Sequence, residues 1–172
     1  PNYVESPANR ILLDFDYGNL PDGLLYGKLG LMLYFLAQYQ ISGNDKYVNK
    51  VGAILEEVFE NGNLQKENNV YTLPNLSKGM TGLGIILNLL KQDGLIQDDF
   101  DEQITDIGEL IFQQSVTMLN ENNYTFFDGP IGNLHYFNTI RNEKYSREIV
   151  NILYNECISH PTPFENKLND SY

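Results

Sequence analysis

The chain has 172 residues, enough for one domain with a hydrophobic core and too few for two ordinary domains. With 42% apolar and 20% charged residues it has the composition of a folded soluble protein, which excludes a disordered or collagen-like chain. A net charge of -12 opposes the phosphate neutralisation on which nucleic-acid affinity depends, so we expect no DNA or RNA partner. The stretch between Lys91 and Arg141 contains no Lys or Arg and nine Asp or Glu residues; a solvated acidic face and a docking surface for a basic partner both fit it.

The single cysteine, Cys157, excludes an intrachain disulfide and a thiolate-rich metal site. No apolar run approaches the ~20 residues that span a bilayer, and the first residues lack the layout of a secretory signal. We therefore expect a cytoplasmic protein without a membrane span. Because the sequence begins with Pro1, a processed or truncated product stays open.

Residues 1–23 contain Pro7, Pro21 and a Gly18-Asn19 turn, and they predict an irregular lead-in. A single repeat domain is expected at 24–158, followed by a frayed tail at 159–172. Within the domain, the segment 70–73 before Pro74 favours a short extended stretch.

Three glycine pairs with the spacing Gly-x-x-Gly indicate an internal repeat. The pairs are Gly27 and Gly30, Gly79 and Gly82, and Gly129 and Gly132. They recur about every 50 residues, and each precedes an apolar stretch, a polar break and a second stretch with apolar residues at helical spacing. The repeat unit is therefore predicted to be a helical hairpin, with copies at about 24–62, 77–119 and 129–158.

The two helices of each unit differ in pattern. The first, for example 29–37, is apolar on nearly all sides, which is typical of a helix covered on most of its surface. The second, for example 47–59, has one apolar stripe opposite charged residues. These patterns predict an all-α fold with inner and outer helix layers. Such an array curves into a solenoid or closes into an α/α toroid, of which three hairpins make an arc.

The glycine pairs are interpreted as structural residues, because glycine lets neighbouring backbones approach closely. An alternative is that they leave helix N-terminal amides free to bind an anion.

Three segments, 24–36, 77–85 and 127–134, resemble the glycine-entered inner helices of lanthionine synthetase C-like proteins. They contain the motifs Tyr-Gly-Lys-Leu-Gly, Lys-Gly-Met-Thr-Gly and Asp-Gly-Pro-Ile-Gly, and the similarity extends from about Leu20 to Cys157. The resemblance implies an α/α toroid of nested helical hairpins. It also implies a relation to cyclases that form a thioether by adding a cysteine thiol to a dehydrated Ser or Thr of a peptide.

The family's cyclases depend on zinc, held by a Cys in one loop and a Cys-His pair in another, which lowers the thiol pKa. This chain has no Cys-His dipeptide. Cys157 and His160 do not make a zinc site by themselves, and we expect Cys157 to be a buried, inert thiol. The resemblance therefore implies the N-terminal half of the toroid, without a cofactor of its own. Zinc is expected only if the C-terminal repeats are present.

The resemblance also implies an acid four residues before the first glycine of one motif, but Thr125 stands there. Asp128, directly before Gly129, is a candidate catalytic residue, with an N-cap role as the alternative. His135 is the second candidate, because histidine is the side-chain type best suited to exchange protons near neutral pH; a core or interface histidine is the alternative. The candidate substrate-binding residues are Tyr26, Tyr34 and Tyr136.

The first functional hypothesis is thus a lanthionine synthetase C-like half barrel that is not catalytic alone. Whether the chain is an enzyme stays open, and its partners would be a peptide substrate, a C-terminal half, a partner subunit or further copies. The alternative is a non-enzymatic peptide-binding or scaffold α/α protein whose acidic outer helices hold a basic segment. A sugar epimerase or glycoside hydrolase is disfavoured, because it needs two carboxylates facing one cavity and the inner helices carry almost no acids.

Overall fold

A computed structural model describes residues 6–63, 70–96 and 100–159. Within these ranges the chain forms seven α-helices and no strand, so the predicted all-α class is confirmed. The helices are α1 (Pro7–Asp14), α2 (Lys28–Ser42), α3 (Asp45–Asn63), α4 (Met80–Gln92), α5 (Asp101–Asn120), α6 (Pro130–Thr139) and α7 (Glu143–Ser159), with a 3-10 turn at Val70–Thr72.

The helices pack as three successive pairs, α2 with α3, α4 with α5, and α6 with α7. The three predicted hairpins are therefore present as helix pairs. The first helices of the pairs also contact one another, because α4 packs against both α2 and α6. On the other side α5 packs against α7, and Phe59 of α3 reaches Phe100, the residue just before α5. The arrangement is two layers, with α4 in the middle of the inner one.

Coverage of the inner helices depends on how many neighbours they have. The middle helix α4 is the most completely buried, and Leu83, Ile86 and Leu87 have no exposed surface. Coverage is less complete along 29–37 of α2, where Leu31 and Leu33 are half-buried and Ala37 is exposed. The reason is that α2 has an inner-layer neighbour on one side only.

The predicted irregular lead-in contains a helix, α1. Pro7 occupies its first turn, and the Ser6 hydroxyl caps it by accepting a hydrogen bond from the Asn9 amide (3.2 Å). The Asn9 side chain is buried and donates to Gln38 of α2 (2.9 Å) and to the Tyr47 hydroxyl of α3 (3.2 Å). Helix α1 is thus held by tertiary contacts, which is why a helix of eight residues is not evident from the sequence.

Two other expectations for connecting segments have different outcomes. The predicted extended stretch is instead the 3-10 turn, which buries Val70 in the core. Most of the predicted tail lies beyond Ser159, outside the described residues. The division into lead-in, repeat domain and tail stays a prediction.

A buried ion pair fastens the lead-in to the first hairpin. The Lys28 ammonium, at the start of α2, lies 3.2 Å from Asp22 Oδ1 and 3.0 Å from Glu57 Oε1 of α3. The Asn61 side-chain amide donates to the same oxygen of Asp22 (2.9 Å). Lys28 and Asp22 have almost no exposed surface. A buried charge needs such partners because the transfer of an ion from water into the protein interior is unfavourable by about 5 kcal/mol.

Candidate functional site

The loops before the three inner helices lie side by side and are joined by backbone hydrogen bonds. The Leu25 amide donates to the Ser77 carbonyl (3.1 Å), and the Ser77 amide donates to the Phe127 carbonyl (3.0 Å). Each of these residues stands two positions before the first glycine of its pair. The three loops are therefore equivalent in space as well as in sequence. We call their adjacent tips the loop rim, consisting of Leu25, Tyr26, Ser77, Lys78, Phe127 and Asp128.

The first glycine of each pair is the N-cap of an inner helix, with ordinary extended backbone angles. What requires glycine is close approach of the preceding loop. A Cβ atom would lie 2.1 Å from the Pro21 carbonyl oxygen at Gly27, 1.8 Å from that of Leu73 at Gly79, and 2.7 Å from that of Thr125 at Gly129. Such distances are shorter than any real contact, so packing explains the glycines.

The same loop carbonyls accept hydrogen bonds from the helix N-termini. The Lys28 amide donates to Pro21 (2.9 Å), and the Met80 amide donates to Leu73 (2.8 Å). Because these amides are already engaged, they are not available to an anion. The structure therefore supports the packing interpretation of the glycines over the anion-binding alternative.

The surface of the loop rim is largely apolar at both of its ends. Tyr26 is 79% exposed, and Leu25, Phe126 and Phe127 are each about half exposed. A shallow groove of about 560 Å³ lies beside the first loop. Its lining consists of Leu20, Leu24, Leu25, Tyr26, Gly27, Gly30, Leu31 and Leu33. Clustered exposed apolar side chains of this kind are typical of a binding surface.

The three candidate tyrosines have different environments. Tyr26 lines the groove. Tyr34 donates its hydroxyl hydrogen bond to the Asn9 side chain of α1. Tyr136 lies in the core against Gly84, and burial raises its pKa to about 12. Only Tyr26 therefore reaches solvent beside the groove, and the three hydroxyls do not converge on one site.

The two candidate catalytic residues are both exposed. Asp128 accepts a hydrogen bond from the Ser77 hydroxyl and so links the third loop to the second. The expected alternative of an N-cap is wrong, because Gly129 is the N-cap of α6 and no side chain caps that helix. His135 lies on α6 with its ring 6.3 Å from that of Phe126. Because His135 is exposed, the alternative of a core position is also wrong; its ring lies beside the aromatic pair of Phe126 and Phe127.

Cys157 is exposed near the end of α7, so the expectation of a buried thiol is wrong. The surface of α7 around Cys157 faces solvent because no described helix packs on that side of α7. The expected neighbour His160 lies outside the described residues. Within the described part of the chain, no three His, Cys, Asp or Glu side chains gather where they could hold a metal ion. None of the helices in that part combines the length and the apolar character that crossing a bilayer requires.

A buried polar chain that the sequence did not reveal links the second and third hairpins. The Thr81 hydroxyl donates to Asn133 Oδ1 (2.6 Å), and Asn133 Nδ2 donates to the Ser115 hydroxyl (2.9 Å). All three residues have no exposed surface. The available signal in the sequence was one polar residue among the apolar residues of each of these helices. Such a residue, taken alone, also fits the exposed face of a helix.

Comparison of the chain with protein-family models, with curated proteins and with solved structures finds no match in any of the three. The functional interpretation therefore depends on the sequence pattern and on the geometry of the loop rim and its groove.

Proposed function

We propose that this chain is a lanthionine synthetase C-like protein corresponding to the N-terminal half of an α/α toroid, and that it holds a peptide without forming thioethers alone. The observation that carries the proposal is the loop rim. Its three equivalent loops are joined by the same backbone contact at the same position before each glycine pair. A contact that is repeated between neighbouring units supports this proposal, because a curved array needs the same relation from each unit to the next.

The groove beside the first loop supports a role in holding a peptide. It offers leucine side chains and the ring of the exposed Tyr26, together with the backbone of Gly27 and Gly30. Tyrosine gives a peptide both an apolar ring and a hydroxyl. The sequence has one cysteine and no Cys-His dipeptide, so it lacks the ligands that the family uses for zinc. The proposal therefore assigns binding to these residues, and no chemical step.

The test is fluorescence anisotropy with a labelled peptide of about 15 residues that is rich in Leu, Ile and Phe and contains one cysteine. Tyr26→Ala is expected to weaken binding about fivefold or more, as expected for an aromatic side chain that contributes over ~1 kcal/mol. The matched control is Tyr154→Ala, because Tyr154 is also a largely exposed tyrosine (63%) but lies on α7. Equal weakening by both variants, or no binding by the unmodified chain, contradicts the proposal.

A second assay tests the absence of chemistry. The chain is incubated with a dehydrated, cysteine-containing peptide and added zinc, and thiol loss is followed by mass spectrometry after alkylation. We expect no cyclised product from the chain alone. Cyclisation at more than the rate of the peptide without protein would contradict the proposal.

The scaffold alternative is favoured by one observation, the exposed acids of the outer helix α5. Asp101, Glu102 and Asp106 all lie at its solvent face. An acidic face of this kind would bind a basic segment, and that binding would weaken strongly as salt rises because exposed charges are screened. Binding of an apolar peptide in the groove is expected to change little with salt, so a salt series with basic and apolar peptides separates the two functions.

A further inference from the structure

A cleft of about 550 Å³ lies at the end of the helices away from the loop rim. The last turn of α4, the first half of α5 and the turn between α6 and α7 form its walls, and we call it the α4–α6 cleft. Several of its side chains can donate hydrogen bonds, among them Asn88, Lys91 and Arg141. Its apolar lining comes from Ile104, Gly108 and Ile140.

The α4–α6 cleft brings together two cations of a strongly acidic chain. Lys91 and Arg141 lie at the two ends of the long stretch without Lys or Arg, and both line the cleft. The Lys91 ammonium pairs with the Asp101 carboxylate, which lines the cleft as well. The Arg141 guanidinium is exposed, and no residue within the described ranges forms an ion pair or hydrogen bond with it. The described lining therefore has a net positive charge in a chain whose net charge is -12.

Arg141 also stands at a backbone position that the other two hairpins give to glycine. Helices α4 and α6 both end with a left-handed residue, and the amide after it donates to the carbonyl five residues before that amide (2.9 and 2.8 Å). The left-handed residue is Gly94 (φ 66°) after α4 and Arg141 (φ 56°) after α6, and α2 ends in the same way at Gly43 (φ 65°). A side chain in this conformation is unfavourable, and strain of this kind is found mostly at functional sites. The turn itself therefore does not explain the arginine.

An independent observation comes from α4. Asn88 Nδ2 is buried and has no hydrogen-bond partner among the described residues, although the residue lines the α4–α6 cleft. A buried amide without an acceptor is unfavourable. Half a turn about the last side-chain torsion exchanges Nδ2 with Oδ1, so the same amide can direct its N–H groups to an acceptor in the cleft.

We propose that the α4–α6 cleft binds a small ligand that carries an oxyanion, a carboxylate or a phosphate group, on an apolar body. Arg141 and Lys91 donate charge-assisted hydrogen bonds to the oxyanion, and the Asn88 amide donates a further one. The two isoleucines of the lining contact the apolar body, which a cleft of this size accommodates. This site is separate from the groove beside Tyr26 and does not depend on peptide binding there.

The test is a two-dimensional NMR titration with benzoate and with phenyl phosphate, which share one ring and differ in the oxyanion. Binding is followed at the backbone amides of Gly108 and Arg141. We expect at least one of the two probes to bind with a Kd of about 1 mM or lower, and the tighter one identifies the oxyanion. Benzyl alcohol is the uncharged control. Saturable binding by neither anion, or equal binding of benzyl alcohol, overturns the proposal.

The decisive variant is Arg141→Gly, because it installs the residue that the other two hairpins have at this position. We expect it to bind the better probe about tenfold more weakly, since a charged hydrogen bond is lost. In urea we expect its equilibrium constant of unfolding to be about two- to fivefold smaller, since the left-handed strain is relieved. The matched control is Arg147→Ala, which removes the same charge from an exposed arginine of α7 outside the cleft lining. Its affinity should stay within about twofold of the original chain.

Equal weakening by Arg141→Gly and Arg147→Ala overturns the proposal, because the probe then responds only to total charge. Loss of stability in Arg141→Gly also overturns it, because the arginine is then structural.

A second variant tests the other wall of the cleft. Asn88→Leu removes the amide with little change in size, and we expect it to weaken probe binding about threefold or more. Its stability should not fall, because Nδ2 has no described partner to lose. Unchanged affinity in both Arg141→Gly and Asn88→Leu would show that the probe binds elsewhere. Tyr26→Ala is expected to leave probe binding unchanged, so failure of the peptide proposal and failure of this one are distinguishable.

Discussion

The first and third hairpins are built from the same unit but end differently. The first is closed by its own lead-in, where α1 covers Tyr47 through Asn9 and the Lys28–Asp22 pair anchors the preceding loop. The third leaves Phe127 and Tyr154 exposed. A repeat unit buries its apolar surface against neighbours, so the terminal unit needs either a cap or a further unit. The comparison shows that, among the residues that the structure describes, a cap is present at the first hairpin and not at the third.

Breaking the buried ion pair at the capped end is expected to have the largest effect. Lys28→Ala leaves Asp22 charged and buried, and we expect it to lower the free energy of unfolding by about 3–5 kcal/mol. Lys91→Ala is the control, because the Lys91–Asp101 pair is exposed and should contribute less than ~1 kcal/mol. Urea unfolding of the two variants measures the difference. Equal losses would show that the lead-in is not fastened by this pair.

Adding a methyl group at the inner-helix N-caps compares the two ends directly. Gly27→Ala forces a Cβ against the Pro21 and Gly23 carbonyl oxygens, which are backbone atoms that cannot turn away. We expect a loss of about 3 kcal/mol. At Gly129 the nearest backbone oxygen, that of Thr125, is farther away (2.7 Å against 2.1 Å) and the other close atoms belong to side chains, so Gly129→Ala should cost less, about 1–2 kcal/mol. Gly52→Ala, which faces open space within α3, should instead stabilise by about 0.5–1 kcal/mol.

Removing the cap's central polar side chain would make the first end resemble the third. Asn9→Ala deletes the hydrogen bonds to Gln38 and Tyr47, and we expect a loss of about 1–2 kcal/mol together with faster hydrogen exchange in α3. Asn138→Ala, an exposed change on α6, should stay within about 0.5 kcal/mol of the original chain. Unchanged exchange in α3 after Asn9→Ala would contradict the role of α1 as a cap.

Tyrosine ionisation provides the smallest expected effect. Burial raises the pKa of Tyr136 from 10.0 to about 12, so its contribution to stability is complete below pH 10 and is lost as the pH rises through 12. Its hydroxyl is also buried without a partner among the described residues. Tyr136→Phe should therefore stabilise by about 1 kcal/mol at pH 7 and by more at pH 11. Urea unfolding at the two pH values measures this; a smaller gain at pH 11 would contradict it.

The counterpart of Tyr136 at the capped end is Tyr17, whose pKa burial also raises to about 12. Tyr17→Phe is expected to act in the same direction, although Lys50 lies over the ring of Tyr17 (4.5 Å to the centroid) and interacts with it. A gain for Tyr136→Phe alone would show that the two ends differ in their cores as well as in their caps.

The glycine pairs and the helical period predicted the three helix pairs, because both signals are local. The same signals did not reveal α1, whose stability depends on residues far away in the sequence such as Gln38 and Tyr47. At the candidate site, the sequence indicated Tyr26 and Asp128 by residue type. Their roles differ, since Asp128 accepts a hydrogen bond from Ser77 of the neighbouring repeat, whereas Tyr26 lines the groove. A contact between repeats depends on how the units are placed, which residue spacing does not specify.

The amino-acid order alone determined that this protein is all-helical, that its helices come in three glycine-led pairs, and which face of each outer helix is apolar. It did so because apolar periodicity and small residues act within a few turns of chain. Only the packed structure decided that the loops align through Leu25, Ser77 and Phe127, that Cys157 faces solvent, and that, within 6–63, 70–96 and 100–159, a cap covers the first hairpin but not the third. Those features depend on which surface meets which, and an apolar stripe is equally apolar whether or not a neighbour covers it.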